Sequence, residues 1–320
     1  MQAMLLSSDA PVTPYRLIQR AIENRIIKSR KLSWEAPGLF DAVFFEVVNK
    51  CNSRCAFCGA SVQNDRRPRK EMAPGLYFGI IRQLAAMEYA GRIAFHVANE
   101  PLLFNDLDVF VSHARSALPN ASIQVMTNGL AFTPERGLKL ISSGIDDLHV
   151  NFYRSSKKQK LPENLTRFIR EVLPSEFPVR KGSIHQNPKT GARLRFTLAH
   201  RLIDEVRWSR GGTSPNRTAT DGKARGLCLY PWKQLNISAD GLVSKCCADI
   251  RFLDPLGDAA SQPILDIWHG ERFREVRRRL LKGHRGRLPN CRDCDFFGIP
   301  TEDISNPLLK FVKYHFFARY

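Results

Sequence analysis

Cys51-Asn52-Ser53-Arg54-Cys55-Ala56-Phe57-Cys58 follows an apolar run, Ala42 to Val48, and sets its thiols at Cys-x3-Cys-x2-Cys spacing. Three thiolates so spaced can hold three corners of a cubane iron-sulfur cluster, whereas a closed zinc or cluster site takes four ligands. One metal corner is left open. An open iron can bind a small molecule directly, so the stretch points to chemistry more than to a structural staple.

Working outward, strand-like runs at Ala42 to Val48, Ile93 to Val97, Ile123 to Met126, Leu148 to Phe152 and Leu194 to Leu198 are rich in β-branched or aromatic residues. Between them, Leu76 to Ala90, Leu107 to Ala117, Pro134 to Ser143 and Pro162 to Leu173 carry apolar residues at helical spacing. Strands alternating with helices imply right-handed crossovers, a parallel sheet and an α/β fold. In a barrel of this kind the loops after the strands gather at one mouth. Cys51, Glu100, Thr127 and Asn128 all follow strands, so one geometry brings them together.

Phe95-His96-Val97-Ala98-Asn99-Glu100-Pro101 and Ile123-Gln124-Val125-Met126-Thr127-Asn128-Gly129 each end an apolar run in a polar turn. With the cysteine stretch, and in this order, they resemble the radical S-adenosylmethionine (radical SAM) family, whose usual Gly-Gly-Glu-Pro is here Ala98-Asn99-Glu100-Pro101. The resemblance implies a partial (β/α)6 barrel, a [4Fe-4S] cluster on Cys51, Cys55 and Cys58, and SAM on the open iron. It implies that Ala98, Asn99 and Glu100 bind the amino group of the SAM methionine. Thr127 and Asn128 would lie near its ribose and carboxylate, and Phe57 would pack near the adenine. Arg195, on the fifth strand, is a further cofactor-side candidate. The implied chemistry is reductive cleavage of SAM to a 5′-deoxyadenosyl radical. That radical abstracts hydrogen from an unactivated carbon, a step that needs water exclusion and tight positioning.

Residues 207–226, rich in Gly, Ser, Thr, Asn and Arg, read as a connecting segment. Trp232 to Ser238 then alternates, Asp240-Gly241 turns and Leu242 to Cys247 returns, which is a β-hairpin signature. Cys228 precedes the hairpin, Cys246 lies near its end, and Cys291-Arg292-Asp293-Cys294 follows a basic helix from about Ile264 to Lys282. The set resembles the twitch or shortened SPASM module of radical SAM enzymes, which implies one auxiliary [4Fe-4S] cluster on Cys228, Cys246, Cys291 and Cys294. Zinc suits four thiolates equally well by charge and softness and is the alternative. Cys247 is left over. It is either an ordinary buried cysteine or, as in radical SAM epimerases, the thiol that returns a hydrogen atom to the substrate radical. Neighbouring strand residues face opposite ways, so Cys247 need not share the cluster of Cys246.

The expected organisation is a basic amphipathic extension over 1–40, a barrel over 41–206 and the connecting segment over 207–226. An auxiliary-cluster domain of β-hairpin plus helix follows over 227–300, with an apolar tail over 301–320. A chain of 320 residues with 43% hydrophobic content can bury a core of that extent. There is no run of about 20 apolar residues to span a membrane, and Met1-Gln2-Ala3-Met4-Leu5-Leu6, without a basic region or long apolar core, does not read as a secretory signal. Close Cys-x2-Cys pairs in such a chain argue for metal binding in a reducing compartment, the cytoplasm.

Two outcomes for the substrate radical are expected: oxidation of a secondary alcohol, as in the twitch dehydrogenases acting on aminocyclitols, or epimerisation through Cys247. Modification of a peptide or RNA is the alternative. Oxidation needs a base or electrostatic group, which relatives carry before the first auxiliary cysteine. Arg210 is the candidate and Arg217 the second. The net charge of +18, with basic runs at Arg66-Arg67-Pro68-Arg69-Lys70 and Lys157-Lys158-Gln159-Lys160, would focus an anionic ligand at the mouth. A phosphate- or nucleotide-linked sugar or cyclitol is therefore expected, with an electron donor such as flavodoxin or ferredoxin. A zinc-containing nucleic-acid-binding protein would also be basic, but the basic runs lack the interleaved aromatics of a stacking platform.

Overall fold

The computed structural model describes residues 14–181, 183–188, 191–205, 209–217, 226–296 and 298. Along each central strand, apolar residues two apart join the core while their neighbours face the other way. β1 (Ala42–Phe45) commits Val43 and Phe45 to the core, and β2 (Arg92–Ala94) commits Ile93. β3 (Ser122–Thr127) adds Ile123 and Val125, β4 (Asp147–Arg154) adds Leu148 and Val150, and β7 (Arg193–Leu202) adds Leu194 and Phe196. Helices α2 (Pro74–Ala86), α3 (Leu107–Ala117) and α4 (Pro134–Ser142) contribute to the same core. Tyr77 of α2 stacks on Phe110 of α3 with ring centroids 4.1 Å apart. Pro74 and Pro134 open their helices, where a fixed φ and a missing N–H cost nothing.

Six parallel strands run β8 (Gln234–Ile237), β1, β2, β3, β4, β7 in space. This is the expected partial barrel, but its sixth strand comes from the hairpin beyond the connecting segment. Phe44 is paired with Ala94 on one side and Asn236 on the other. The hairpin's second strand β9 (Leu242–Ser244), then β10 (Gly257–Asp258), continue the sheet antiparallel. At the far edge β5 (Val179–Lys181) and β6 (Ile184–Gln186) add an antiparallel pair beside β7 that the sequence pattern did not suggest. Barrel and hairpin thus share one ten-stranded sheet, and residues 207–226 do not separate two sheets.

One expected helix is continuous but contains a π-turn, and another is broken. Residues 162–173 fall in α5 (Glu163–Arg167), a π-helical turn (Phe168–Val172) and α6 (Leu173–Glu176). The basic helix is divided into α7 (Ile264–Trp268) and α8 (Glu271–Leu281) at Gly270, where a Cβ would stand 2.7 Å from the Asp266 carbonyl oxygen. The N-terminal helix α1 (Pro14–Ser29) packs Ile22, Ile26 and Ile27 against the core, and its buried Glu23 accepts the Leu227 N–H at 3.0 Å. The apolar tail expected over 301–320 lies outside the described residues. No described helix is long and apolar enough to cross a membrane.

Candidate active site

Cys51–Cys58 lies in the loop after β1, at the end of the sheet where β3 hands over to Asn128. Asn128 Nδ2 donates to Asn52 Oδ1 at 2.8 Å and reaches Cys51 Sγ at 3.5 Å. The Ser53 N–H donates to Cys51 Sγ at 3.4 Å, and Ser53 Oγ is 3.1 Å from Cys55 Sγ. Arg210 Nη1 stands 3.9 Å from Cys58 Sγ. The hydrogen bonds to Cys51 and Cys55 favour their thiolates. Burial wins nonetheless, pushing Cys51 up to about 12 and Cys55 to about 11. Left alone these residues stay protonated, and a metal must take the place of the protons.

The three thiols open onto a cavity of about 130 Å³. Phe57, Ala98, Asn99, Glu100, Thr127 and Asn128 all line it, so the predicted cofactor-side residues meet there. Glu100 ties the wall together. Its Oε1 accepts Thr127 Oγ1–H at 2.6 Å and the Leu102 N–H at 3.1 Å, while Oε2 accepts the Asn128 N–H at 2.7 Å. Burial raises the Glu100 pKa above its ordinary value, outweighing the opposite effect of those hydrogen bonds. Asn128 leads into Gly129, whose φ of +78° and close approach to Val150 and Leu165 suit glycine. Phe57 packs on Tyr153 with centroids 5.5 Å apart, and the Arg210 guanidinium sits 5.5 Å from the Phe57 ring centroid.

Cys228, Cys246, Cys291 and Cys294 surround a second, smaller cavity of about 20 Å³, also lined by Arg285, Tyr230 and Phe296. Cys247 does not line it; the Gln234 amide and Arg210 act on its thiol instead, against burial, which raises its pKa. The buried Arg285 donates from Nη2 to Cys294 Sγ at 3.1 Å, while its Nε and Nη1 have no hydrogen-bond partner among the described residues. An enclosed cation among four thiols fits an anionic thiolate-bound centre. Among the described residues no three His, Cys, Asp or Glu side chains converge as on a single ion.

One segment joins the two groups. The Ser209 N–H donates to Asp295 Oδ1 at 2.6 Å and its Oγ–H to the Asp293 carbonyl at 2.7 Å, fastening the segment to the last cysteine loop. Ser214 Oγ donates to the Phe57 carbonyl at 2.9 Å, fastening it to the first. Gly211 and Gly212 have φ of +65° and +82° and press on Asn290 and Asp293. Arg210, itself at φ +47°, is held between the two cysteine groups.

A model of the radical SAM superfamily matches residues 45–172, and one of the SPASM iron-sulfur cluster-binding domain matches residues 228–295. The S-adenosyl-L-methionine-dependent 2-deoxy-scyllo-inosamine dehydrogenase of Niallia circulans is 31% identical over 265 residues, 83% of this chain and 96% of the relative. The chain belongs to the radical SAM superfamily. The crystal structure of BtrN in complex with AdoMet and 2-DOIA superposes with a TM-score of 0.65 at 28% identity, covering 81% of this chain and 94% of that one. The PqqA peptide cyclase of Bradyrhizobium diazoefficiens is 23% identical, covering 85% of this chain and 83% of the relative. The radical SAM domain brings SAM and a [4Fe-4S] cluster, the SPASM domain brings an auxiliary iron-sulfur cluster, and the protein is an oxidoreductase.

Several expected residues lie elsewhere in this radical SAM protein. Arg195 is exposed near the start of β7, paired in register with Asp147 and 3.9 Å from its carboxylate. The mouth lies several residues further along, at roughly 3.3 Å per residue, so Arg195 does not line the cofactor cavity. Arg217 is buried against Asp295 at 2.6 Å and holds the connecting segment rather than the cavity. Of the rim cations, Arg67 pairs with Asp65 and Glu46, Arg69 with Glu71, and Lys70 with Asp240. In α8, Arg277 is fully buried over Trp268, and Arg278 and Arg279 both pair with Glu275.

Other cavity residues escaped sequence reading: His96, Met126, Asn151 and Tyr153. Their signal is register, since Asn151 and Tyr153 alternate along β4 with the buried Val150 and Phe152. Burial pushes the His96 imidazole down to about 3, which keeps it neutral, and its Nδ1 has no partner among the described residues.

Proposed function

We propose that this protein is a radical SAM dehydrogenase that oxidises a secondary alcohol on a small cyclitol- or sugar-like substrate to the ketone. In this reading Cys51, Cys55 and Cys58 hold the SAM-binding cluster, and Cys228, Cys246, Cys291 and Cys294 hold the auxiliary one. Bound SAM would supply the radical that takes a hydrogen atom from the carbinol carbon, the hydroxyl would give up its proton to water, and the auxiliary centre held by the four cysteines would accept the remaining electron. The observation that carries the reading is the placement of Arg210. Its strap spans both cysteine loops, its guanidinium lines the SAM-side cavity, and it reaches Cys58. A fixed cation there stabilises negative charge developing on the carbinol oxygen. Glu100, Asn128 and Phe57 orient the cofactor, and the enclosing aromatic wall of Phe57 and Tyr153 keeps water from the radical. Likeness to the 2-deoxy-scyllo-inosamine dehydrogenase supports the substrate class.

Of the rim cations behind the expectation of an anionic substrate, Arg67, Arg69 and Lys70 are ion-paired, which reduces the positive field there. The electron that starts turnover would come from a low-potential carrier such as flavodoxin or ferredoxin, in a reducing compartment such as the cytoplasm. The test is anaerobic reconstitution with iron and sulfide counting, then incubation with SAM, reductant and aminocyclitols in deuterated water. A product lighter by two hydrogens, with 5′-deoxyadenosine, is expected. One four-iron cluster, or stoichiometric zinc, would sink it. Epimerisation is the second reading, favoured by Cys247, which sits beside Arg210 and Gln234 and outside the small cavity; solvent deuterium in an isomeric product, lost in Cys247→Ala, would select it.

A further inference from the structure

We infer that Arg285 sets the reduction potential of the auxiliary iron-sulfur centre, raising it toward the value needed to take an electron from the substrate. The inference rests on the reading that Cys228, Cys246, Cys291 and Cys294 hold that centre.

Arg285 opens a short 3-10 turn, Arg285–Arg287, after α8, and only 1% of it is exposed. It lines the cavity among the four cysteines and donates to Cys294 Sγ at 3.1 Å. Nε and Nη1 have no hydrogen-bond partner among the described residues. A buried guanidinium requires an opposite charge near it. The cavity that Arg285 lines holds the thiols of Cys228, Cys246, Cys291 and Cys294, the groups able to carry that charge. Lys245, the other buried cation here, differs, because its Nζ meets Asp254 Oδ2 at 2.6 Å. One cation is paired with a carboxylate, and the other gives its hydrogen bond to a cysteine sulfur.

The direction follows from charge. Reducing a four-thiolate centre adds a negative charge in a low-dielectric pocket, so a fixed cation in contact stabilises the reduced form more than the oxidised one. A hydrogen bond to a ligand sulfur acts the same way. Arg285 does not line the SAM-side cavity, so it acts through the centre and is a positioning and tuning residue. Dehydrogenation sheds a net electron and gains from such tuning, whereas epimerisation sheds none.

The experiment is redox titration followed by EPR on the full-length, reconstituted protein and its Arg285→Gln, Arg285→Lys and Arg287→Gln variants, with iron counted in each. Added SAM perturbs the open cluster's signal and tells the two centres apart. In Arg285→Gln the oxidised-to-reduced ratio of the auxiliary centre at a fixed poise should rise at least tenfold, a fall of about 59 mV for one electron. Arg285→Lys keeps the charge and should shift by less than threefold; the exposed Arg287→Gln and the SAM-binding cluster should not move. Two intact clusters with an unchanged auxiliary potential in Arg285→Gln overturn the inference. Should that variant lose the auxiliary iron, Arg285→Lys decides: retention with a shift below threefold supports the role of charge, and loss of iron or a tenfold fall overturns it. A wild-type protein with no second cluster overturns the underlying reading, and the inference with it.

Discussion

Arg210 sits on the strap that is fastened to both cysteine loops. It is anchored at both ends of its strap rather than by its own backbone preference, since φ of +47° is unusual for a side chain of this kind. Replacing it with Gln should lower ketone formation by roughly 10²–10³-fold, as loss of a preorganised electrostatic group does, while SAM cleavage without product continues. Liquid chromatography of 5′-deoxyadenosine and product separates the two, and equal loss of both would assign Arg210 to SAM binding instead. Glu100 shows a different economy of contacts: three protein donors converge on one carboxylate. Glu100→Gln puts an amide N–H against one of those donors, at a cost of about 1–3 kcal/mol. It should weaken SAM binding in equilibrium dialysis and lower the melting temperature. Unchanged affinity would mean that the wall tolerates a neutral partner.

At the scale of elements, the exit of β1 carries a pH-dependent stress. Glu46 directly follows the strand and is fully enclosed, with Arg67 Nη2 at 3.3 Å and the Ala239 N–H at 3.5 Å. Burial outweighs both partners and pushes its pKa up to about 7 from an ordinary 4.5. The folded chain therefore binds this proton more tightly than the unfolded chain does. The stability that the protonated form supplies is complete below about pH 4.5 and is lost as pH rises to about 7, a change of roughly 3 kcal/mol. Glu46→Gln should flatten that part of the stability–pH profile and raise the melting temperature at pH 8. A parallel, merely shifted profile would place the titration elsewhere. The elements themselves were largely legible, because apolar alternation marks β3, β4 and β7 and helical spacing marks α3 and α4. The β5–β6 pair was not, since Val179-Arg180-Lys181 and Ile184-His185-Gln186 are too short and too polar to show a period. The cysteines and the Glu100 turn were readable as motifs, whereas an arginine such as Arg285, in a basic stretch, looks like surface until its burial is known.

For the whole molecule, the consequential fact is that β8 completes the barrel from the far side of the chain. Strand order among parallel strands is decided by tertiary packing, so a hairpin read locally gave no hint that its first strand would pair with β1 over Ala42–Phe45. The pairing makes the auxiliary module part of the radical SAM core. Leu227, Leu229, Trp232, Leu235 and Ile237 lie in the same core cluster as Val43, Phe45 and Ile93. The N-terminal helix is fastened there too, through Glu23 and the Leu227 N–H. A chain ending at residue 205 would strip β1 of a strand partner, uncover one row of backbone donors and acceptors, and expose the apolar faces these residues cover. It should elute as aggregate, show no cooperative thermal transition by circular dichroism, and fail to retain the SAM-binding cluster, although all three of that cluster's cysteines remain. A monomeric, cooperatively melting 1–205 fragment that still binds four irons would show that the barrel closes without β8, and that the two cluster sites can be separated.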